Sequence, residues 1–400
     1  MKGLRRKNLP FSFYNRPPFP YTRTGALGTG QDTKLTKKES SVSLNASWPT
    51  LKLGKHVSRY PLIQGGMGVM ISGPRLAGAV ARAGGVGTIA SVGLACASPH
   101  YNGRNYFEAN QLAMKDALAE ARAAAPEGVL AVNCMVALTD FDLHIRSACE
   151  GGANVIISGA GLPLKLPELT KDYPDVALVP IVSSVKAADL ILRRWEKLYG
   201  RQPDGFVVET PLHAGGHLGA TKMEQVTDPA LSLEAVVPEL VRFLEQDVKA
   251  DIPVVAAGGI WDRSDLERAW SWGARGVQMG TRFACTREGD ASDRFKQAFV
   301  DAQEEDVVLI MSPVGIPGRA LKNPFVARYL EGEVESKPCI ANCLSHCTYL
   351  RTRKTFCIAQ ALVDAYQGNW ETGLFFCGDN VTRCRGIEKV EDILAELFES

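Results

Sequence analysis

The chain has 400 residues, and its 46% hydrophobic and 22% charged residues exclude a disordered or fibrous protein. Its 45 basic and 44 acidic residues nearly cancel, so no overall field points to nucleic acid or to an acidic membrane as a partner. No apolar run reaches about eighteen residues, so the sequence predicts no membrane-spanning helix.

The first fifty residues differ from the rest in charge. They hold nine basic and two acidic residues, a net charge of +7, and they lack apolar periodicity. A transit peptide and an extended or disordered leader both fit this composition. Because Pro10, Pro17, Pro18 and Pro20 interrupt any amphipathic helix, we favour a basic leader over residues 1–52.

From residue 60 onward, short β-rich segments alternate with helical ones. The predicted strands are Tyr60–Ile63, Val86–Ile89, Val129–Val132, Val155–Ser158, Ala177–Val182, Phe206–Val208, Pro253–Ala256 and Gly276–Met279. The predicted helices between them are Pro74–Ala83, Tyr106–Ala124, Asp140–Glu150, Val185–Tyr199, Leu231–Lys249 and Ser264–Trp272. Nearly continuous apolar strands indicate a buried parallel sheet. Eight βα units in about 220 residues predict an α/β protein with a (β/α)₈ TIM barrel over residues 53–300; an open doubly wound sheet would need fewer strands.

The carboxyl ends of barrel strands meet at one face, where active sites form. After the first strand come Gln64, Gly65, Gly66 and Met67, where a flat ring can lie against the backbone. Asn133 ends the third strand and suits the polar edge of such a ring, although it is equally typical of a turn.

Two glycine turns follow the seventh and eighth strands. The first contains Gly258 and Gly259, and the second contains Gln278, Gly280 and Thr281. Glycines let backbone N–H groups approach a phosphate closely, and the position is that of phosphate sites in barrels. We therefore favour phosphate binding over an interpretation as simple tight turns.

A glycine-rich loop with a histidine follows the sixth strand. Gly215, Gly216 and His217 place an imidazole at the predicted catalytic face, where it can exchange a proton near neutral pH. A lone histidine is often structural, but the flanking glycines favour a catalytic role for His217. His213 is interpreted as a solvated loop residue.

The tail over residues 301–400 is predicted to combine a loop and a cysteine-rich helical extension, with helices near Phe356–Gln367 and Val390–Phe398. The loop Gly315–Asn323, with Arg319 and Lys322, fits a lid over the barrel mouth and a plain connection equally well. Four tail cysteines can bind an iron–sulfur cluster or zinc, or simply pack as small hydrophobes: Cys339, Cys343, Cys347 and Cys357. Their spacing matches no common metal motif, so we favour no metal. The absence of a secretory signal indicates a reducing, cytoplasmic location, with organellar targeting by the leader left open.

Six sequence blocks, in order, make the chain resemble the nitronate monooxygenase (2-nitropropane dioxygenase) family. They are Pro61–Met67, Ala83–Gly87, Val132–Asn133, Ala214–His217, Ala256–Ile260 and Gln278–Phe283. The Gly65–Gly66 pair is more similar to FMN-dependent enoyl-acyl-carrier-protein reductases, whereas many nitronate-oxidising members have Ala-Pro there.

The resemblance implies a TIM barrel that binds FMN. Gln64, Gly65, Gly66 and Met67 would line the flavin ring, and Asn133 its pyrimidine edge. The 5′-phosphate would bind at Gly215, Gly216, Gly258, Gly259, Gly280 and Thr281, beside Gln278, with His217 as the active-site histidine.

The implied activity is oxidation of an alkyl nitronate by O₂ through a flavin semiquinone. The alternatives are an NAD(P)H-dependent enoyl or quinone reductase and, if the tail binds metal, an electron-transfer module. A homodimer is left open.

Overall fold

The computed structural model describes residues 48–333, 338, 339 and 341–399. The predicted leader therefore lies outside the described residues as far as residue 47. The strands of the described part are β1 (Leu51–Leu53), β2 (His56–Ser58), β3 (Leu62–Gln64), β4 (Val86–Ala90), β5 (Val129–Met135), β6 (Val155–Gly159), β7 (Ala177–Val182), β8 (Phe206–Glu209), β9 (Gly216–His217), β10 (Val254–Ala257), β11 (Gly276–Met279), β12 (Val307–Met311) and β13 (Pro317–Leu321).

The helices surround these strands. They are α1 (Pro74–Arg82), α2 (Tyr106–Ala124), α3 (Phe141–Glu150), α4 (Leu166–Leu169), α5 (Val185–Tyr199), α6 (Leu233–Arg242), α7 (Arg263–Ser271), α8 (Thr281–Ala284), α9 (Asp293–Val300), α10 (Pro324–Leu330), α11 (Thr348–Thr352), α12 (Ile358–Tyr366) and α13 (Val390–Phe398). None of the helices in the described ranges is both long and apolar enough to cross a membrane.

Eight parallel strands close into a barrel in the order β3, β4, β5, β6, β7, β8, β10 and β11, with β11 paired to β3. The predicted TIM barrel is confirmed. Small and branched side chains such as Ile63, Val207 and Val255 fill its interior. The barrel strands are buried on both faces, as is usual in a parallel sheet. The β1–β2 hairpin adds Leu51 and Leu53 to the same buried cluster.

The element boundaries differ from the predictions where local geometry overrides the pattern. The predicted helix Leu231–Lys249 begins later because the Ser232 hydroxyl accepts a hydrogen bond from the Ala235 N–H at 3.3 Å. It changes at Phe243 to a wider π-helical turn that ends at Lys249, whose φ is +58°. The short helix α4 was not predicted, because prolines at its start obscure the helical period.

The segment after α9 is joined to the barrel by a second sheet. β12 and β13 form an antiparallel hairpin, and β13 also pairs with the two-residue strand β9. The register places Gly318 opposite His217 and Arg319 opposite Gly216. The histidine loop after β8 is thus one strand of a sheet completed by residues about a hundred positions later.

Candidate active site

A large cavity of about 780 Å³ lies at the carboxyl ends of the barrel strands. Its volume is within the range of roughly 300–1,000 Å³ that is common for small-molecule sites. Its lining includes His217 and ten of the residues predicted to hold a cofactor: Gly65, Gly66, Met67, Asn133, Gly215, Gly258, Gly259, Gln278, Gly280 and Thr281. The fold therefore brings together loops from five different barrel strands.

Two predicted residues, Gln64 and Gly216, lie outside this lining. The Gln64 side chain is fully buried, and its amide nitrogen donates to the Ser72 hydroxyl at 2.7 Å. Its amide oxygen accepts from the Thr88 N–H at 2.9 Å. Gln64 thus supports the turn that carries Gly65 and Gly66, because its polar atoms are engaged within the protein.

Glycine is required where the backbone of the cavity wall packs closely against its neighbours. A Cβ on Gly66 would lie 2.3 Å from the Cβ of Asn133, and one on Gly215 would lie 2.6 Å from the backbone nitrogen of Gly378. Gly258 and Gly259 adopt φ values of +101° and +79°, which non-glycine residues rarely adopt. At these positions no side chain covers the cavity wall, so the backbone can bind a ligand directly.

The polar groups of the cavity suit a ligand with a flat polar ring and an anionic tail. The buried Gln278 amide oxygen has no hydrogen-bond partner among the described residues, so it is available to a ligand donor. The Thr281 hydroxyl accepts a hydrogen bond from the Gly378 N–H at 2.9 Å. With the adjacent glycine turns, these residues fit FMN, which combines an imide-bearing ring and a phosphate.

His217 is fixed in the cavity wall by two residues of the tail. Its Nε2 lies 2.8 Å from the Ser312 hydroxyl oxygen, and the Phe376 ring meets the imidazole edge-on at 5.2 Å between centroids. Burial lowers the pKa of His217 to about 4. The imidazole is therefore neutral at pH 7 and can accept a proton.

A second ionisable group, Glu209, lines the same cavity at the end of β8. Burial raises the pKa of its carboxyl to about 7. A carboxyl that titrates near neutrality in a cavity is a feature of functional sites. The opposite pKa shifts of His217 and Glu209 have the same physical cause, because desolvation disfavours the charged form of both.

The tail supplies site residues that sequence reasoning missed. Ser312, Phe376, Gly378 and Asn380 all contact the site or line the cavity. Ser312 lies just before the loop Gly315–Asn323, for which the sequence predicts a lid or a connection, and no motif marks it. No local motif marks Phe376 or Asn380, because their positions depend on the pairing of distant segments.

Arg319 and His213 have structural partners. The Arg319 guanidinium is buried and donates to the carbonyl oxygens of Leu212, at 2.8 Å, and Ala214. His213 is exposed and paired with Asp379. Arg319 therefore fixes the histidine loop, and Pro317–Leu321 of the loop Gly315–Asn323 forms strand β13.

One family model matches most of the chain. The family model for nitronate monooxygenases matches residues 50–400. A probable nitronate monooxygenase of Staphylococcus saprophyticus is 35% identical over 130 residues, which is 32% of this chain and 35% of that protein. The chain thus matches about a third of the length of that curated relative.

A longer match joins the chain to a dehydrogenase. The (3aS,4S,5R,7aS)-5-hydroxy-7a-methyl-1-oxo-octahydro-1H-indene-4-carboxyl-CoA dehydrogenase of Rhodococcus jostii is 28% identical over 67% of this chain and 64% of that protein. Among solved structures, FabK of Thermotoga maritima has a TM-score of 0.65 and 26% identity over 85% of this chain and 92% of its own. A nitroalkane oxidase of Streptomyces ansochromogenes shares the fold, with a TM-score of 0.62 and 18% identity over 85% of this chain and 95% of its own.

Proposed function

We propose that the chain, which belongs to the nitronate monooxygenase family, is a flavin-dependent oxidoreductase that oxidises an alkyl nitronate with O₂ while holding FMN noncovalently. The observation that carries the proposal is a neutral imidazole, His217, held by Ser312 in the wall of a cavity that also contains the glycine turns. An anionic or weakly acidic small substrate suits such a group.

The glycine turns would bind the phosphate end of the cofactor, and the other predicted residues would bind its ring. Gly258, Gly259, Gly280 and Thr281, with Gly215, would hold the phosphate through backbone N–H groups and a hydroxyl. Gly65, Gly66 and Met67 would lie along the ring, with Asn133 and Gln278 at its polar edge. When bound, FMN supplies a centre that takes electrons from the substrate and passes them to O₂.

His217 would act on the substrate's acidic proton. A hydrogen bond in which Nε2–H donates to Ser312 leaves the lone pair on Nδ1, which would accept the α-proton of a neutral nitroalkane. With a preformed nitronate, a ring N–H would instead hydrogen-bond to the anionic oxygens. The apolar side chains around the cavity limit access of water to this proton transfer.

A second function is favoured by the size and lining of the cavity. Beyond the predicted cofactor residues, its wall includes the apolar side chains of Val92, Met135, Leu162, Ile181 and Leu362. Such a wall suits a bulky apolar acyl group, and the dehydrogenase relative from Rhodococcus jostii is named for a bicyclic carboxyl-CoA substrate. In this alternative, NAD(P)H is a co-substrate and His217 orients a thioester or quinone.

Oxygen uptake with propionate 3-nitronate, measured without pyridine nucleotide, distinguishes the two functions. The nitronate monooxygenase predicts uptake that depends on nitronate and is lost in His217→Ala. Absence of uptake, together with rapid anaerobic bleaching of the flavin by NADH or NADPH, would reject the nitronate proposal in favour of the reductase.

All ten cysteines lie in the described part of the chain and none forms a disulfide there. Free thiols persist in a reducing compartment. A cytoplasmic site of action fits this state.

A further inference from the structure

The side of the cavity that lies opposite the glycine turns carries apolar side chains. In the closed order of the barrel strands, β5 is four strands from β10, and β6 is four strands from β11, so each pair spans the barrel. The glycine turns follow β10 and β11, whereas Met135 ends β5 and Leu162 follows β6. The cavity therefore has a backbone-lined side and, across the barrel mouth, an apolar side.

The tail covers this apolar side. The Thr139 N–H, in the loop after β5, donates to the Cys343 carbonyl at 3.0 Å. The next tail residue, Leu344, forms a β-bridge with Leu138 of the same loop and lines the cavity. The covering segment is thus held on the barrel by backbone hydrogen bonding, and the apolar side is preformed.

Helix α12 belongs to the same side of the cavity. Ile358, Ala359 and Leu362 of this helix line the cavity, and Leu362 is half-buried although it packs against the main hydrophobic core. A side chain in that position has one side on the core and the other on the cavity. We call the following residues the apolar wall: Met135, Leu162, Leu344, Ile358, Ala359 and Leu362.

The segment after α12 shows how the wall lies relative to the histidine. The Leu374 N–H donates to a carbonyl of α12 at 2.8 Å, Phe376 meets the His217 imidazole, and the Gly378 N–H donates to the Thr281 hydroxyl. Because extended chain covers roughly 3.3 Å per residue, Leu374 and Gly378 are separated by up to about 13 Å. Along this segment the histidine therefore comes between the apolar wall and the turn that we propose for the phosphate.

The charge of the cavity favours an uncharged substituent on the substrate. Among the cavity-lining residues of the described chain, none is a lysine or an arginine. The buried Arg319 donates to two backbone carbonyls and is not part of the lining, and the exposed His213 is paired with Asp379. Glu209 adds a negative charge when it ionises. A carboxylate on the substrate would thus be desolvated without a cationic partner from the described lining, whereas burial of an alkyl chain is favourable.

We propose that the apolar wall selects nitronates and nitroalkanes that carry an uncharged alkyl chain and discriminates against those that carry a carboxylate. The inference rests on the proposed function for the identity of the reacting nitro group. Leu362, which comes from the tail, is a specificity-determining residue in this arrangement, because it contacts the alkyl chain while His217 acts at the other end of the substrate.

The test compares substrates that differ in the substituent. Oxygen uptake gives kcat/KM for the nitronates of nitroethane, 1-nitrobutane and 1-nitrohexane and for propionate 3-nitronate, with the full-length flavin-loaded protein. We expect kcat/KM to rise about three- to fourfold for each added methylene group. Propionate 3-nitronate should remain a substrate, with a kcat/KM at least about tenfold below that of the 1-nitrobutane nitronate. A flat alkyl series, or equal kcat/KM for these last two compounds, would overturn the proposal.

Variants of Leu362 assign the selection to the wall. Leu362→Lys adds a cation and should raise kcat/KM for propionate 3-nitronate at least about fivefold relative to the 1-nitrobutane nitronate. Leu362→Ala should lower kcat/KM for the 1-nitrohexane nitronate at least about fivefold and that for the nitroethane nitronate less than about twofold. Leu190→Lys and Leu190→Ala, at an exposed position of α5 outside the cavity, are the matched controls and should keep the wild-type preferences. Wild-type preferences in both Leu362 variants would refute the assignment, and if Leu362→Lys fails to fold, Leu362→Ala decides it.

Binding separates this inference from the proposed function. Anaerobic titration calorimetry with 1-nitrobutane, 1-nitrohexane and 3-nitropropionate measures affinity without turnover. If no nitronate supports oxygen uptake, yet affinity rises with chain length and is at least about tenfold weaker for 3-nitropropionate than for 1-nitrobutane, the proposed reaction fails and the selectivity stands. Equal affinities for the three compounds would reject the selectivity even if nitronates are oxidised.

Discussion

The Nε2 atom of His217 lies 2.8 Å from the hydroxyl oxygen of Ser312, although the two residues are 95 positions apart. Ser312 follows strand β12, and His217 belongs to β9, which pairs with the same hairpin through β13. The segment after the barrel therefore orients the histidine that we propose to be catalytic. Changes in that hairpin should alter the reaction without touching the glycine turns.

Ser312→Ala should lower kcat/KM for the nitronate about tenfold. Loss of one hydrogen bond to His217 is worth about 1–1.5 kcal/mol, which corresponds to roughly a factor of ten in rate. Steady-state oxygen uptake measures the change, and Ser312→Thr is the control because it keeps the hydroxyl. An unchanged kcat/KM in Ser312→Ala would show that the hydroxyl does not position the imidazole.

In the pH profile of kcat/KM, the fall in activity on the acidic side should occur at an unusually low pH. Because burial lowers the pKa of His217 to about 4, the imidazole stays neutral at pH 5, where an ordinary histidine is mostly protonated. Activity that needs the neutral ring should therefore fall only as the pH approaches 4. The profile is best measured in Glu209→Gln, which removes the second titration in the cavity. A limb near pH 6.5 would contradict a desolvated His217.

Glu209→Gln should change how stability depends on pH. Burial raises the pKa of Glu209 from 4.5 to about 7, so between these values the folded state keeps a proton that the unfolded state releases. The wild type should thus lose up to about 3 kcal/mol of unfolding free energy as the pH rises from 4.5 to 7, and the glutamine variant should not.

Urea unfolding at pH 5 and pH 8 measures that difference. We expect Glu209→Gln to exceed the wild type in stability at pH 8 by more than at pH 5. Glu196→Gln, at an exposed position of α5, is the control, and its free energy of unfolding should match that of the wild type at both pH values. Parallel curves for Glu209→Gln and the wild type would show that the carboxyl is solvated.

The sequence was sufficient for the barrel because strand and helix periods are local properties. The bounds of Ala177–Val182 and Tyr106–Ala124 were predicted without error, and the polar residues after each strand located the cavity. The roles of Ser312 and Gly378 could not be predicted, because they arise from contacts across more than ninety residues. Gln64 shows a second limit of sequence-based prediction. Packing, and not the motif, decides whether its amide faces a ligand or Ser72.

Gly66→Ala should abolish tight flavin binding. The new Cβ would lie 2.3 Å from the Asn133 Cβ, so the turn or the strand end must move in the wall that would face the ring. We expect the dissociation constant for FMN to rise at least tenfold, measured by fluorescence quenching on titration of flavin-free protein. Gly386→Ala, which meets no atom within 4 Å, should bind FMN like the wild type. If Gly66→Ala and the wild type bind FMN with equal affinity, this turn does not contact the cofactor.

Arg282→Met should be among the most destabilising changes outside the cavity. The Arg282 side chain is almost fully buried and donates to Glu388 at 2.9 Å, to Glu396 and to the Trp261 carbonyl at 2.8 Å, so it joins α8 to the last segment of the tail. Breaking a buried pair by removing one partner costs about 3–5 kcal/mol. Because the two carboxylates are partly exposed, we expect a loss near the lower end, about 3 kcal/mol, in urea unfolding. Arg193→Met, which removes an exposed pair with Asp189, should leave the free energy of unfolding nearly unchanged, because solvent screens such a pair. Similar losses in both variants would show that Arg282 does not hold the tail on the barrel.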